Sequence, residues 1–159
     1  MKHIVSYGTR ALVTLFLIQI LSTSAKAQTY SINSNANWST SLPATCNNCT
    51  INIGPGVTLT VNQTATCQNC TFAGGTVSIT GHTLTLKSTG ASTTTFNGAN
   101  LTASGAAQVI ANSPLTINNA VFTFNNTASL TTAKNVSLTA STIYLYDNSS
   151  MTSNGNVFT

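Results

Sequence analysis

Residues 95–115 read TFNGANLTASGAAQVIANSPL, and residues 116–136 read TINNAVFTFNNTASLTTAKNV. Each 21-residue stretch opens on Thr followed by a large apolar residue, Phe96 or Ile117. Apolar residues then follow five and seven places on, Leu101 and Ala103 in one stretch and Phe122 and Phe124 in the other. Fixed-period self-similarity of this kind is the mark of a repeat architecture. Working outward, the opening residue recurs at Ile51, Phe72, Phe96, Ile117, Leu138 and Phe158, at spacings of 21, 24, 21, 21 and 20. Thr50, Thr71, Thr95, Thr116 and Ser137 precede it, with Val157 the exception. The next apolar position is Val77, Leu101, Phe122 and Ile143, with Val57 one place late, and then Leu59, Ile79, Ala103, Phe124 and Leu145. A third apolar segment is marked by Ala65, Leu84, Val109, Leu130 and Met151.

Within each unit the apolar residues alternate with polar ones, as in Val57-Thr58-Leu59-Thr60-Val61, Val77-Ser78-Ile79-Thr80, Thr83-Leu84-Thr85-Leu86 and Ile143-Tyr144-Leu145-Tyr146. Such runs are half-buried strands, and Gly or Asn turns bound them. Three short strands per unit of about 21 residues describe one coil of a parallel β-solenoid, in which each strand pairs with its equivalent about 4.8 Å away. A β-sandwich also spaces strands at short intervals, but the sixfold recurrence of the opening residue favours the solenoid. The predicted fold class is therefore all-β.

The solenoid also explains an odd composition. After residue 27 the chain holds 27 Thr, 15 Ser and 19 Asn, 61 of 132 residues. Charged residues are 4% of the whole, against about 25% in ordinary globular domains. Stacking sets each outward residue against its own counterpart, so like charges would repel while Thr, Ser and Asn form hydrogen-bonded ladders. The net charge of +4 is a property of the first segment, where Lys2, Arg10 and Lys26 lie. Only Lys87, Lys134 and Asp147 follow, a net of +1, so no nucleic-acid or anionic-membrane partner is indicated. Eight Asn-x-Ser/Thr sequons are close to the roughly six that this composition produces by chance, and read as composition and not as glycosylation signals.

Lys2, His3 and Arg10, the apolar Ala11 to Leu21 and the Ala25-Lys26-Ala27 site together predict a secretory signal peptide over 1–27. Eleven apolar residues are too few for a transmembrane anchor, which needs about 20. The predicted organisation continues with an N-terminal cap at 28–50 leading into the first coil, and coils over 51–159 that stop part-way through a unit. That stop predicts that the natural chain continues, or that this end self-associates. Localisation is expected to be secreted, extracellular or at a bacterial cell surface.

The segment Ala36-Asn37-Trp38-Ser39, followed by Ile51-Asn52-Ile53-Gly54-Pro55-Gly56-Val57-Thr58-Leu59-Thr60, resembles the cap and first coil of right-handed parallel β-helix proteins. These are the pectin-lyase-like and adhesin-type secreted solenoids, especially repeat proteins of Bacteroidota-like bacteria. The resemblance implies a right-handed coil used for surface display or carbohydrate contact. It also implies a Trp38 that closes the end of the first coil.

Cys46, Cys49, Cys67 and Cys70 form C-x2-C-x17-C-x2-C, a spacing compatible with structural zinc. The separation of 21 is also the repeat period, so stacking alone brings the two pairs together. Counting back from the openers turns Cys49 and Cys70 inward, in a column with Thr94, Leu115 and Val136. In an exported chain disulfides are expected in place of a metal. Pairing between coils would leave stacked Cβ atoms slightly too far apart, which favours local pairs within each C-x-x-C. A thioredoxin-like redox role lacks the helix that such chemistry uses.

No catalytic residues, cofactor or metal are expected. After residue 27 there is one carboxylate, Asp147, where glycoside hydrolysis normally takes two. His82 and Asp147 lie more than two coils apart. The expected function is a non-catalytic structural or adhesive module, with extracellular polysaccharide or another surface protein as partner. Tyr144 and Tyr146 are the candidate binding residues, as an outward aromatic pair. One alternative is an ice-binding solenoid, with Thr58/Thr60, Ser78/Thr80, Thr102/Ser104, Thr123/Asn125 and Tyr144/Tyr146 as its grid. Another is a fragment of a polysaccharide-degrading β-helix protein whose catalytic part lies elsewhere.

Overall fold

The computed structural model describes residues 27–154 and 158–159, so the signal peptide expected over 1–27 lies outside the described residues except for Ala27. The described residues wind as a parallel β-solenoid of about six turns. The first turn holds β1 (Gln28–Ile32), β2 (Ala36–Asn37), a single helical turn α1 (Trp38–Ser41) and β3 (Thr45–Asn47). The second holds β4 (Cys49–Ile53), β5 (Thr58–Val61) and β6 (Ala65–Gln68), and the third β7 (Thr71–Ala73), β8 (Thr76–Thr80) and β9 (Thr83–Lys87). The fourth comprises β10 (Thr94–Asn97), β11 (Asn100–Ser104) and β12 (Gln108–Ala111). Then come β13 (Leu115–Asn118), β14 (Val121–Phe124) and β15 (Ser129–Thr132), and finally β16 (Val136–Thr139), β17 (Thr142–Leu145) and β18 (Ser150–Ser153). Equivalent strands pair in parallel to make three six-stranded sheets, the first containing β1, the second β2 and the third β3.

The opening residues stack as the repeat requires: Tyr30, Ile51, Phe72, Phe96, Ile117 and Leu138 are successive register partners in the first sheet. From Ile51 to Ile117 this column is fully buried. The residues at 28–50, expected as a cap, form a complete turn, because Gln28–Ile32 pairs along its whole length with Cys49–Ile53. Trp38, expected to close the end of the first coil, is part of the core. It is fully buried, its indole N–H donates to the Pro43 carbonyl at 2.9 Å, and its ring lies 6.4 Å from Phe72. Below it Phe72 stacks on Phe96 at 4.4 Å, and Phe96 meets Phe122 edge-on at 4.8 Å, an aromatic spine through successive turns.

Two register assignments differ from the sequence reading, both by two residues. Leu59, not Val57, partners Val77, and Val61 partners Ile79. The corner between β4 and β5 is longer than that between β7 and β8, and Gly54, Pro55 and Gly56 fill it. At the other end Phe158 bridges to Val136 and not to Leu138. A slip of two keeps every side chain on its own face, so alternation cannot distinguish the registers.

The corners explain much of the Asn content. Asn48, Asn69, Asn119 and Asn126 have φ between 49° and 57°, the left-handed region that Asn tolerates better than most residues. Gly75, at φ 57°, has a second reason to be glycine: a Cβ there would collide with the Ile53 side chain. Corner side chains also pair between turns, as where the Asn69 amide donates to Asn48 Oδ1 at 2.8 Å.

Truncating the spine tests whether stacking of inward columns carries stability. Phe96→Ala should cost about 3–5 kcal/mol, read as a lower urea midpoint at unchanged slope. The outward Thr102→Ala should stay within about 0.5 kcal/mol. Similar losses from the two changes would contradict this packing.

Candidate functional site

Each sheet shows solvent a set of side-chain columns, and the register gives their composition. On the first sheet one outward column runs Thr29, Thr50, Thr71, Thr95, Thr116 and Ser137 without a break. Beside it lie Ser31, Asn52, Ala73, Asn97, Asn118 and Thr139. The second sheet is less uniform. One of its columns runs Asn37, Thr60, Ser78, Thr102, Thr123 and Tyr144, and its neighbour runs Thr58, Thr76, Asn100, Val121 and Thr142. The grid expected there is therefore displaced by two residues at Thr58 and Thr60, which stack on Thr76 and Ser78.

Tyr144 and Tyr146 both stand on the outer face at the last turn of the second sheet, 45% and 49% exposed. Tyr144 lies in β17 and Tyr146 just past its end, two residues on and on the same face, and their rings stack at 5.9 Å with an interplanar angle of 23°. Tyr144 continues the Thr123 column, so its ring adjoins a ladder of hydroxyl groups. An exposed aromatic pair beside a ladder of hydroxyl groups offers apolar contact and hydrogen bonds together. In the same turn the inward Leu145 and Met151 are 44% and 37% exposed, since no strand among the described residues covers them.

The cysteines meet where the third sheet passes into the first. Cys46 and Cys67 are register partners, and all four cysteines are buried. The inward column through Thr94, Leu115 and Val136 is present as expected. Cys46 and Cys49 form a disulfide, whereas Cys67 and Cys70 are thiols, so the second local pair expected from the sequence is not formed. The reason is that Cys70 turns toward the neighbouring coil. Its sulfur lies 3.4 Å from Cys49 Sγ and donates to the Cys46 carbonyl at 3.4 Å. The Cys46, Cys49 and Cys70 sulfurs all lie within 4.8 Å of one another. Metal binding requires thiolates, and the disulfide takes up two of these three sulfurs. Burial pushes the Cys67 thiol well above its ordinary pKa. Cys70 is held below the ordinary value, chiefly by the hydrogen bond from Cys67 and against its own burial, with backbone hydrogen bonds at Cys49 and Gln68 assisting.

His82 occupies the corner between β8 and β9, and Asp147 the equivalent corner between β17 and β18, three turns away. At about 4.8 Å per turn that separation is on the order of 14 Å, beyond any direct dyad. The Asp147 carboxylate instead accepts the Asn126 backbone N–H at 3.1 Å, as a corner residue. A shallow polar depression of about 340 Å³ lies at Asn35, Ala36, Asn37, Thr40 and Thr60. Its residues belong to the turn whose sequence lacks the alternation that marks the other turns, so no sequence signal points to it. No helix among the described residues is long and apolar enough to cross a membrane. Comparison with family models, curated proteins and solved structures finds no match to this chain.

Proposed function

We propose that the chain is a non-catalytic, secreted or cell-surface β-solenoid module with a structural or adhesive role, and that it contacts extracellular polysaccharide. The observation that carries this proposal is the stacked, exposed Tyr144–Tyr146 pair beside the Thr123 ladder. A pyranose ring has an apolar face that packs on such rings and hydroxyls that pair with Thr and Asn. The lone carboxylate after residue 27 and its use at a corner support a non-catalytic role. Export is proposed from the basic, apolar and Ala-x-Ala pattern of the first 27 residues. Kinship with secreted β-helix proteins of Bacteroidota type is part of the same proposal and rests on the repeat pattern and this leader.

On a glycan array the protein should retain a polysaccharide, and a Tyr144→Ala, Tyr146→Ala variant should lose at least about tenfold in affinity, the value of roughly 1.4 kcal/mol of lost contact. An array without binders, or a variant that binds as the parent does, refutes the carbohydrate role.

A second proposal, an ice-binding face, takes support from the unbroken Thr29 to Ser137 column of the first sheet. It requires thermal hysteresis above that of an inert protein, and loss of that hysteresis on Thr95→Val. Hysteresis equal to the control disposes of it.

A further inference from the structure

We infer that the cysteine cluster is a thiol–disulfide exchange site, in which Cys70 attacks Cys49 Sγ and transfers the crosslink from one corner to two successive turns. In the structure Cys46–Cys49 is the disulfide, and the Cys70 sulfur touches Cys49 Sγ at 3.4 Å; with the three sulfurs within 4.8 Å of one another this approach is bent, so the Cys70 side chain must swing into line with the Cys46–Cys49 bond before it attacks. The reaction balances without an external oxidant. The Cys49–Cys70 bond forms and the Cys46–Cys49 bond breaks. Cys46 leaves as thiolate and takes up the proton that Cys70 releases. One disulfide and two thiols are present before and after.

Three features make Cys70 the attacking group. The site is closed, with all four cysteines at most 2% exposed, so the reagent at hand is an internal thiol. Cys70 belongs to the sulfur cluster of Cys46 and Cys49, and Cys67 does not. The hydrogen bond from Cys67 favours the Cys70 thiolate, while burial disfavours that of Cys67, and only a thiolate attacks a disulfide.

Folding supplies the direction. In an unfolded chain Cys46 and Cys49, three residues apart, meet far more readily than Cys49 and Cys70, which are 21 apart. Stacking of β7 on β4 removes that difference by setting Cys70 against Cys49. The product joins the second turn to the third within the first sheet and locks their register. On loop-closure entropy the share of the Cys49–Cys70 bond should be about tenfold greater in the folded than in the unfolded chain.

The test uses the oxidised full chain, incubated folded or in urea at about pH 8, where a thiol is partly ionised. Acid quenching, peptic digestion without reductant and tandem mass spectrometry then locate the disulfide, and alkylation counts thiols. The expected result is a Cys49–Cys70 linkage that accumulates in the folded sample at a constant two thiols per chain. It should form faster as pH rises toward the Cys70 pKa. Cys67→Ser should still form it, more slowly, and Cys70→Ser should keep Cys46–Cys49 alone. A folded protein that retains only Cys46–Cys49, with Cys67 and Cys70 both alkylated, overturns the proposal. So does a Cys67–Cys70 linkage, or a Cys49–Cys70 share no greater than in urea.

Discussion

The strand residues of this solenoid are placed against their counterparts one turn away, and that in-register parallel pairing is the constraint on which the rest depends. Inside, it converts an alternating pattern into continuous columns such as Ile51, Phe72, Phe96 and Ile117. No single turn could bury such residues alone, so stability resides between turns. Outside, the same rule excludes charge, because a charged position would face its like at about 4.8 Å. The near-absence of Asp, Glu, Lys and Arg after residue 27 is a consequence of geometry. At the corners, where the chain must turn sharply, the rule selects Asn and Gly, whose left-handed conformations repeat from turn to turn.

The sequence disclosed the parts of this that depend on periodicity. Parallel sheets, three strands per turn and five of the openers follow from a 21-residue spacing that few other folds would produce. It hid what periodicity cannot encode. The Leu59–Val77 and Val136–Phe158 registers each differ from the naive alignment by two residues, a shift that leaves the buried face unchanged. The first turn was legible in principle, since Thr29-Tyr30 stands 21 residues before Thr50-Ile51. Its second strand has only two residues and runs into α1, so the alternation that marks the other turns is missing.

The candidate sites show the same division. Period alone put Cys67 over Cys46 and turned Cys49 and Cys70 inward, and the structure agrees. Which sulfurs bond depends on side-chain direction within a few ångströms, and no spacing carries that. Tyr144 and Tyr146 were recognisable as outward by alternation, but their stacking at 5.9 Å needed coordinates. The ligand is harder to read for a physical reason: a surface built of repeated Thr, Ser and Asn has few places that differ from their neighbours.

A double-mutant cycle across one rung of the first sheet tests the pairing most directly. Thr95 and Thr116 are outward register partners, whereas Thr95 and Ser137 are two turns apart. Urea unfolding would compare Thr95→Lys with Thr116→Glu, Thr95→Lys with Thr116→Lys, and Thr95→Lys with Ser137→Lys, each against its single variants. In-register stacking predicts a favourable coupling for the first pair and an unfavourable one for the second, each about 0.2–1 kcal/mol, with the third near additive. Additivity in all three would show that Thr95 and Thr116 do not face each other, and the stacked solenoid would be wrong.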